Sequence, residues 1–130
     1  MKYPIPFLLI CLTLFSIPVF AFLILPHRPM TDEDYVDAIV GEASNQTEDT
    51  MVCIAHSLRN RGTLKGVFGY HAKHNKNETK LTWRKARIAW NLSEFEADNT
   101  GGSKNFGTQE DLDHYGHWTI KAKCGDFYFW

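Results

Sequence analysis

The sequence predicts a small, mainly helical α+β domain behind an apolar amino-terminal segment, and three observations carry that expectation. Residues 7–25 hold no charged side chain. From Thr31 onward, apolar residues recur at helical spacing behind capping signals. From Trp118 the pattern alternates around a Cys-Gly-Asp turn, which is the chemistry of a small hairpin. With 130 residues in all, the chain can hold one domain at most, and about 100 residues beyond Pro26 suffice for a modest core.

Residues 7–25 read FLLICLTLFSIPVFAFLIL. As a helix this run spans roughly 28 Å, close to the hydrocarbon thickness of a bilayer. Val19-Phe20-Ala21 offers a small-residue cleavage site, so a secretory signal is one reading. The apolar run continues to Leu25, which favours an uncleaved single-pass anchor. Lys2 precedes it and Asp32, Glu33 and Asp34 follow soon after Arg28, so the amino terminus is expected in the cytoplasm and the domain outside the cytoplasmic membrane or in the periplasm. The chain thus divides into an anchor or signal, residues 1–26, and a folded domain, residues 27–130.

Thr31 with Asp34 is a capping pair, and the helix it opens should run from Asp32 to Ala43. Tyr35, Ala38, Ile39 and Glu42 follow the i, i+3, i+4, i+7 rule, so Glu42 is the one carboxylate that shares an apolar helical face. An acid half withdrawn from water resists ionisation and can protonate a glycosidic oxygen near neutral pH. The plainer alternatives are a solvated charge or an ion pair with Arg59 or Arg61. Thr47 or Asp49 starts a second helix with Met51, Ile54, Ala55 and Leu58 on its apolar face, stopped by Gly62. Residues 62–80 read as a long surface loop with room for one helical turn and with one apolar cluster, Val67, Phe68 and Tyr70. Thr82 is expected to cap a third helix whose stripe is Trp83, Ala86, Trp90 and Phe95. Residues 98–103 form a Gly-rich loop, and Thr108 with Asp111 marks a short helix to about Tyr115.

Overall charge is near neutral, with fourteen Lys and Arg against fifteen Asp and Glu. Its distribution is uneven: residues 32–49 carry only acids, whereas residues 59–87 are basic apart from Glu78. The basic middle could meet an anionic polymer, nucleic acid or cell-wall material, or be a solvated face. Cys11 lies in the apolar segment, leaving Cys53 and Cys124 either to pair in an oxidising compartment or to remain buried thiols. His71 with His74, and His114 with His117, stand three apart, but without cysteine partners they make an unusual metal set, and no metal or cofactor is expected.

Several short blocks together resemble the cell wall hydrolase family of the spore-cortex-lytic (SleB) type. They are Gly41-Glu42-Ala43 at the end of the first helix, Asn60-Arg61 at the end of the second, Gly66-Val67-Phe68-Gly69, Asp98-Asn99-Thr100-Gly101-Gly102 with Phe106, and the last strand from Gly125 to Phe129. Two positions depart from the family pattern, with Asn99 in place of a proline and Phe127 in place of a histidine. The resemblance implies a lysozyme-like fold, related to goose-type lysozymes and lytic transglycosylases. It also implies cleavage of the β-1,4 bond between N-acetylmuramic acid and N-acetylglucosamine, with Glu42 as general acid and base. No obvious second acid is visible, which favours a lytic transglycosylase over a hydrolase. Glycan sites use aromatic faces and amides, so Tyr70, His71, Asn105, Phe106, Gln109 and Trp118 are candidates for substrate contacts. The expected partners are peptidoglycan strands and a membrane through residues 7–25, not nucleic acid. A reading from another class is a membrane-anchored wall-binding or regulatory module without turnover.

Overall fold

The computed structural model describes residues 28–116 and 119–130. The apolar segment 7–25 and the candidate contact Trp118 lie outside the described residues, among which no helix is long and apolar enough to cross a membrane. In chain order the elements are α1 (Asp32–Ala43), α2 (Glu48–Arg61), a 3-10 turn (Asn75–Asn77), α3 (Lys80–Phe95), β1 (Phe106–Gly107), α4 (Gln109–Tyr115), β2 (Ala122–Cys124) and β3 (Phe127–Phe129). The domain is therefore mainly helical with a small sheet.

The helix boundaries follow local chemistry. At the start of α1 the Asp34 carboxylate accepts from both the backbone N–H and the hydroxyl of Thr31, at 2.7 and 2.8 Å. At the start of α2, Thr47 Oγ1 accepts from the N–H of Thr50, and the helix stops at Gly62, whose left-handed φ of 69° costs a glycine little. α3 begins a turn earlier than Thr82 suggests: the cap is Thr79, whose extended backbone aims its hydroxyl at the Thr82 N–H, 3.2 Å away. Phe95 leaves the expected core stripe and is 83% exposed. Five residues beyond Trp90, it is rotated about 140° around the helix from that buried ring.

α3 packs across both α2 and α1. The core between them is Val36, Ile39 and Val40 from α1, Met51, Ile54 and Leu58 from α2, and Ala86, Ala89 and Trp90 from α3. Tyr35 stacks on Trp90 at 4.5 Å between centroids, and the Arg59 guanidinium stands 3.8 Å from the Trp90 ring. Arg59 is fixed there by hydrogen bonds to Ser93 Oγ and the Trp90 carbonyl, at 2.6 and 2.7 Å. The strands lie in the antiparallel order β1-β3-β2, with Phe106 opposite Phe129 and Cys124 opposite Phe127. Phe127 and Phe129 are buried and turn the sheet's apolar face to the helices. Cys53 and Cys124 form a disulfide, which ties β2 to α2 and settles the choice between a bridge and two thiols.

Candidate functional site

Three carboxylates of α1 hold the segment between α2 and α3 in place. Asp34 Oδ1 accepts from the Tyr70 hydroxyl, Asp37 Oδ2 from the His71 N–H at 2.6 Å, and Glu42 Oε1 from the Gly69 N–H at 2.6 Å. Asn75, inside the segment, donates to Asp37 and to the Gly69 carbonyl, and Trp83 Nε1 donates to the Asn75 carbonyl. His74 Nε2 lies 3.2 Å from the Gly41 carbonyl. Residues 62–80 are thus a surface loop with one helical turn, Asn75–Asn77, pinned to the helices through these bonds and through buried Leu64, Val67 and Asn75. The docking needs two glycines. A Cβ on Gly41 would lie 1.9 Å from the Gly69 oxygen, and one on Gly69 would lie 2.5 Å from the Glu42 nitrogen.

The same contact forms one wall of a cleft of about 250 Å³. Glu42, Val67 and Phe68 line that side, while Asn105, Phe106, Gly107, Asp111, Tyr115 and Trp130 face them from the sheet and α4, with Arg61 between. Phe68 and Tyr115 are exposed at 83% and 58%, so the mouth of the cleft is aromatic. Arg61 donates to the Lys65 carbonyl and lies 3.5 Å from Asn105 Oδ1. Neither Arg59 nor Arg61 forms an ion pair with Glu42, because each guanidinium is taken up by backbone and side-chain oxygens elsewhere.

The electrostatics of α1 separate its acids. Asp34 is buried at 8% exposure, so Glu42 is not alone on the protected side. The Asp34 carboxyl is nevertheless held below its ordinary range by the Thr31 N–H, against the effect of burial, with further help from the Thr31 and Tyr70 hydroxyls and Arg28. Glu42 is shifted the other way. Burial raises its pKa above 4.5, the Gly69 N–H opposes this, the negative charge of Asp111 adds to the rise, and Phe68 N–H and His74 oppose it weakly. The two carboxyls stand eight residues apart, about 12 Å along α1, and Asp34 does not line the cleft, so its shift belongs to the helix cap whereas that of Glu42 belongs to the cleft.

Of the candidate contacts, Asn105 and Phe106 line the cleft with Glu42. Tyr70 and His71 do not line it: their rings stack on each other at 3.9 Å, with Tyr70 bonded to Asp34 and His71 facing Asp37. Gln109 is exposed on α4 and donates to Asp113. The residue that sequence reading passed over is Asp111. Its pairing with Thr108 marks a helix start and conceals a second role, since the capping geometry that draws Asp111 Oδ2 to the Thr108 N–H at 2.7 Å also sets it in the cleft wall. A second hollow, of about 480 Å³, lies beside the disulfide, and its acids, Asp49 and Glu96, are exposed. Among the described residues no group of three or more His, Cys, Asp or Glu stands together as a metal site. Neither a family model, nor a curated protein, nor a solved structure matches this chain.

Proposed function

We infer that this chain is a peptidoglycan-cleaving glycosidase that breaks the β-1,4 bond between N-acetylmuramic acid and N-acetylglucosamine, with Glu42 as its general acid and base. The observation that carries the reading is a desolvated carboxyl with a raised pKa in an aromatic-mouthed cleft. The resemblance of Gly41-Glu42-Ala43, Asn60-Arg61 and Gly66-Val67-Phe68-Gly69 to spore-cortex-lytic hydrolases supports it and suggests a lysozyme-like domain. In this account Glu42 Oε1 is fixed by Gly69, and Oε2 delivers the proton to the leaving oxygen as the glycosidic bond breaks. The resulting carboxylate then takes a proton from the attacking hydroxyl. If that hydroxyl is the muramyl C6–OH, the product is a 1,6-anhydro sugar and no second protein acid is required, which is the lytic transglycosylase reading. Asp111 favours a second reading: an acid across the cleft can orient water, and the product is then a reducing sugar.

The test is mass spectrometry of purified peptidoglycan digested by the full chain in detergent, beside Asp111→Asn. Anhydro-muramyl ends from both proteins support the transglycosylase. Reducing ends that disappear with Asp111→Asn support hydrolysis. No glycan cleavage by the folded wild type would refute both and leave a wall-binding module.

A further inference from the structure

We propose that the outer face of α3 is a membrane-surface contact that seats the domain on anionic lipid. The inference does not depend on the chemistry of Glu42, and no α3 residue lines the cleft, so a seated α3 leaves it open. α3 buries Ala86, Ala89, Trp90 and Ser93 against α1 and α2. The opposite face should be polar, yet it carries Leu81, Ile88 and Phe95, exposed at 60%, 36% and 83%. Seven residues apart in succession, the three fall within about 40° of one another and run about 21 Å along the helix. Among the described residues they are half of the large apolar side chains left exposed, and they are gathered on one stripe.

Charge selects the occupant. Arg84 stands about 40° to one side of Ile88 and Lys85 about 60° to the other, with Lys80 at the amino-terminal end. None of these three cations makes an ion pair or side-chain hydrogen bond among the described residues, whereas Arg87, farther round, is paired with Glu33. The helix's only acid, Glu94, projects about 120° from Ile88. An apolar stripe between unpaired cations is the pattern of a helix lying at an anionic lipid surface, its apolar side chains in the acyl boundary and its cations at the phosphates.

The chain outside the described region points the same way. The Glu33–Arg87 pair holds the start of α1 beside α3, and only Pro26 and His27 separate Arg28 from the uncharged stretch 7–25. Whatever that stretch occupies, seven residues from Leu25 to Asp32 can span at most about 25 Å.

Nitroxide accessibility tests the proposal in the full chain. Cys11→Ser leaves Cys53 and Cys124 in their bridge, so one label can be placed by Ile88→Cys and, separately, by Lys104→Cys at an exposed control position. The proteins are incorporated in phosphatidylcholine vesicles with or without phosphatidylglycerol. The expected result with anionic lipid is a residue-88 label open to oxygen and closed to an aqueous nickel chelate, while the residue-104 label stays aqueous. Arg84→Gln with Lys85→Gln should weaken seating about fivefold per charge removed. A residue-88 label as aqueous as residue 104 in both vesicles would overturn the proposal. So would spin–spin broadening at residue 88 with both reagents excluded, which would mean a second copy covers the face.

Discussion

Replacing Gly69 by alanine separates two reasons for a glycine. Its φ is not in the left-handed region, so the new side chain meets no backbone penalty of that kind. The obstacle is space: the Cβ would lie 2.5 Å from the Glu42 nitrogen, 2.7 Å from the Ala38 oxygen and 2.7 Å from Glu42 Cγ. Carbon contacts settle at about 3.5–4 Å, so the segment must withdraw by roughly 1 Å. That withdrawal stretches the 2.6 Å bond from Gly69 to Glu42 past hydrogen-bond range. Overpacking costs about 1–3 kcal/mol, and a lost hydrogen bond to a charged group costs about 1.5–3 kcal/mol. Together the expected loss is about 2.5–6 kcal/mol. Gly62→Ala is the control. Its φ is 69° with nothing within 4 Å of the added Cβ, so only the left-handed penalty of about 1–2 kcal/mol applies. Urea unfolding of both variants measures the difference. A Gly69→Ala loss no larger than that of Gly62→Ala would refute the packed wall.

Three further outcomes follow from the same structure. The Cys53–Cys124 bridge closes a loop with a sequence separation of 71, so Cys53→Ala with Cys124→Ala should lose about 4 kcal/mol on the chain-entropy account; an unchanged urea midpoint would contradict it. Burial alone would raise the Asp98 carboxyl, but the Thr100 hydroxyl, Asn60, and the Thr100 and Gly102 N–H groups outweigh it and hold it down at about 2. Its contribution is therefore full above about 3.8 and lost as pH falls through about 2. Because Asp98 is exposed, Asp98→Asn should cost only about 1 kcal/mol at neutral pH, and a loss that persists undiminished below pH 2 would argue against this origin. For Glu42 the sign is reversed: with its folded pKa raised, its contribution is fullest below 4.5 and declines as pH rises through the folded value. Glu42→Gln should abolish that decline and gain on the wild type as pH rises above 4.5, as paired unfolding curves would show; parallel pH profiles would count against desolvation.

What sequence could show was local. The Thr31–Asp34 and Thr108–Asp111 pairs and the Thr47 and Gly62 boundaries act within one turn of chain, and they set helices where the pattern placed them. The pattern places the start of α3 a turn late, at Thr82, because two hydroxyls stand three apart and either is a good cap by type; the cap is Thr79. β1 is two residues long and exists only because β3 pairs with it, so no alternation could announce it. Of the candidate site, the place of Glu42 on the protected side of α1 was legible, because its helical phase with Tyr35 and Ile39 follows from spacing alone. Its surroundings were not. The Gly69 bond, the ties from Asp34 and Asp37 to Tyr70 and His71, and the approach of Asp111 are all long-range contacts between segments that no periodicity relates.

The measurement that bears most directly on the central claim is release of soluble muropeptides from purified peptidoglycan by the full chain and by Glu42→Gln, each first shown to be folded. The substituted amide can still accept the Gly69 N–H through its oxygen but has no acidic proton to transfer, so the account predicts release by the wild type and a loss on the order of a thousandfold or more in the variant. A folded Glu42→Gln protein that releases muropeptides at a rate near that of the wild type would contradict it.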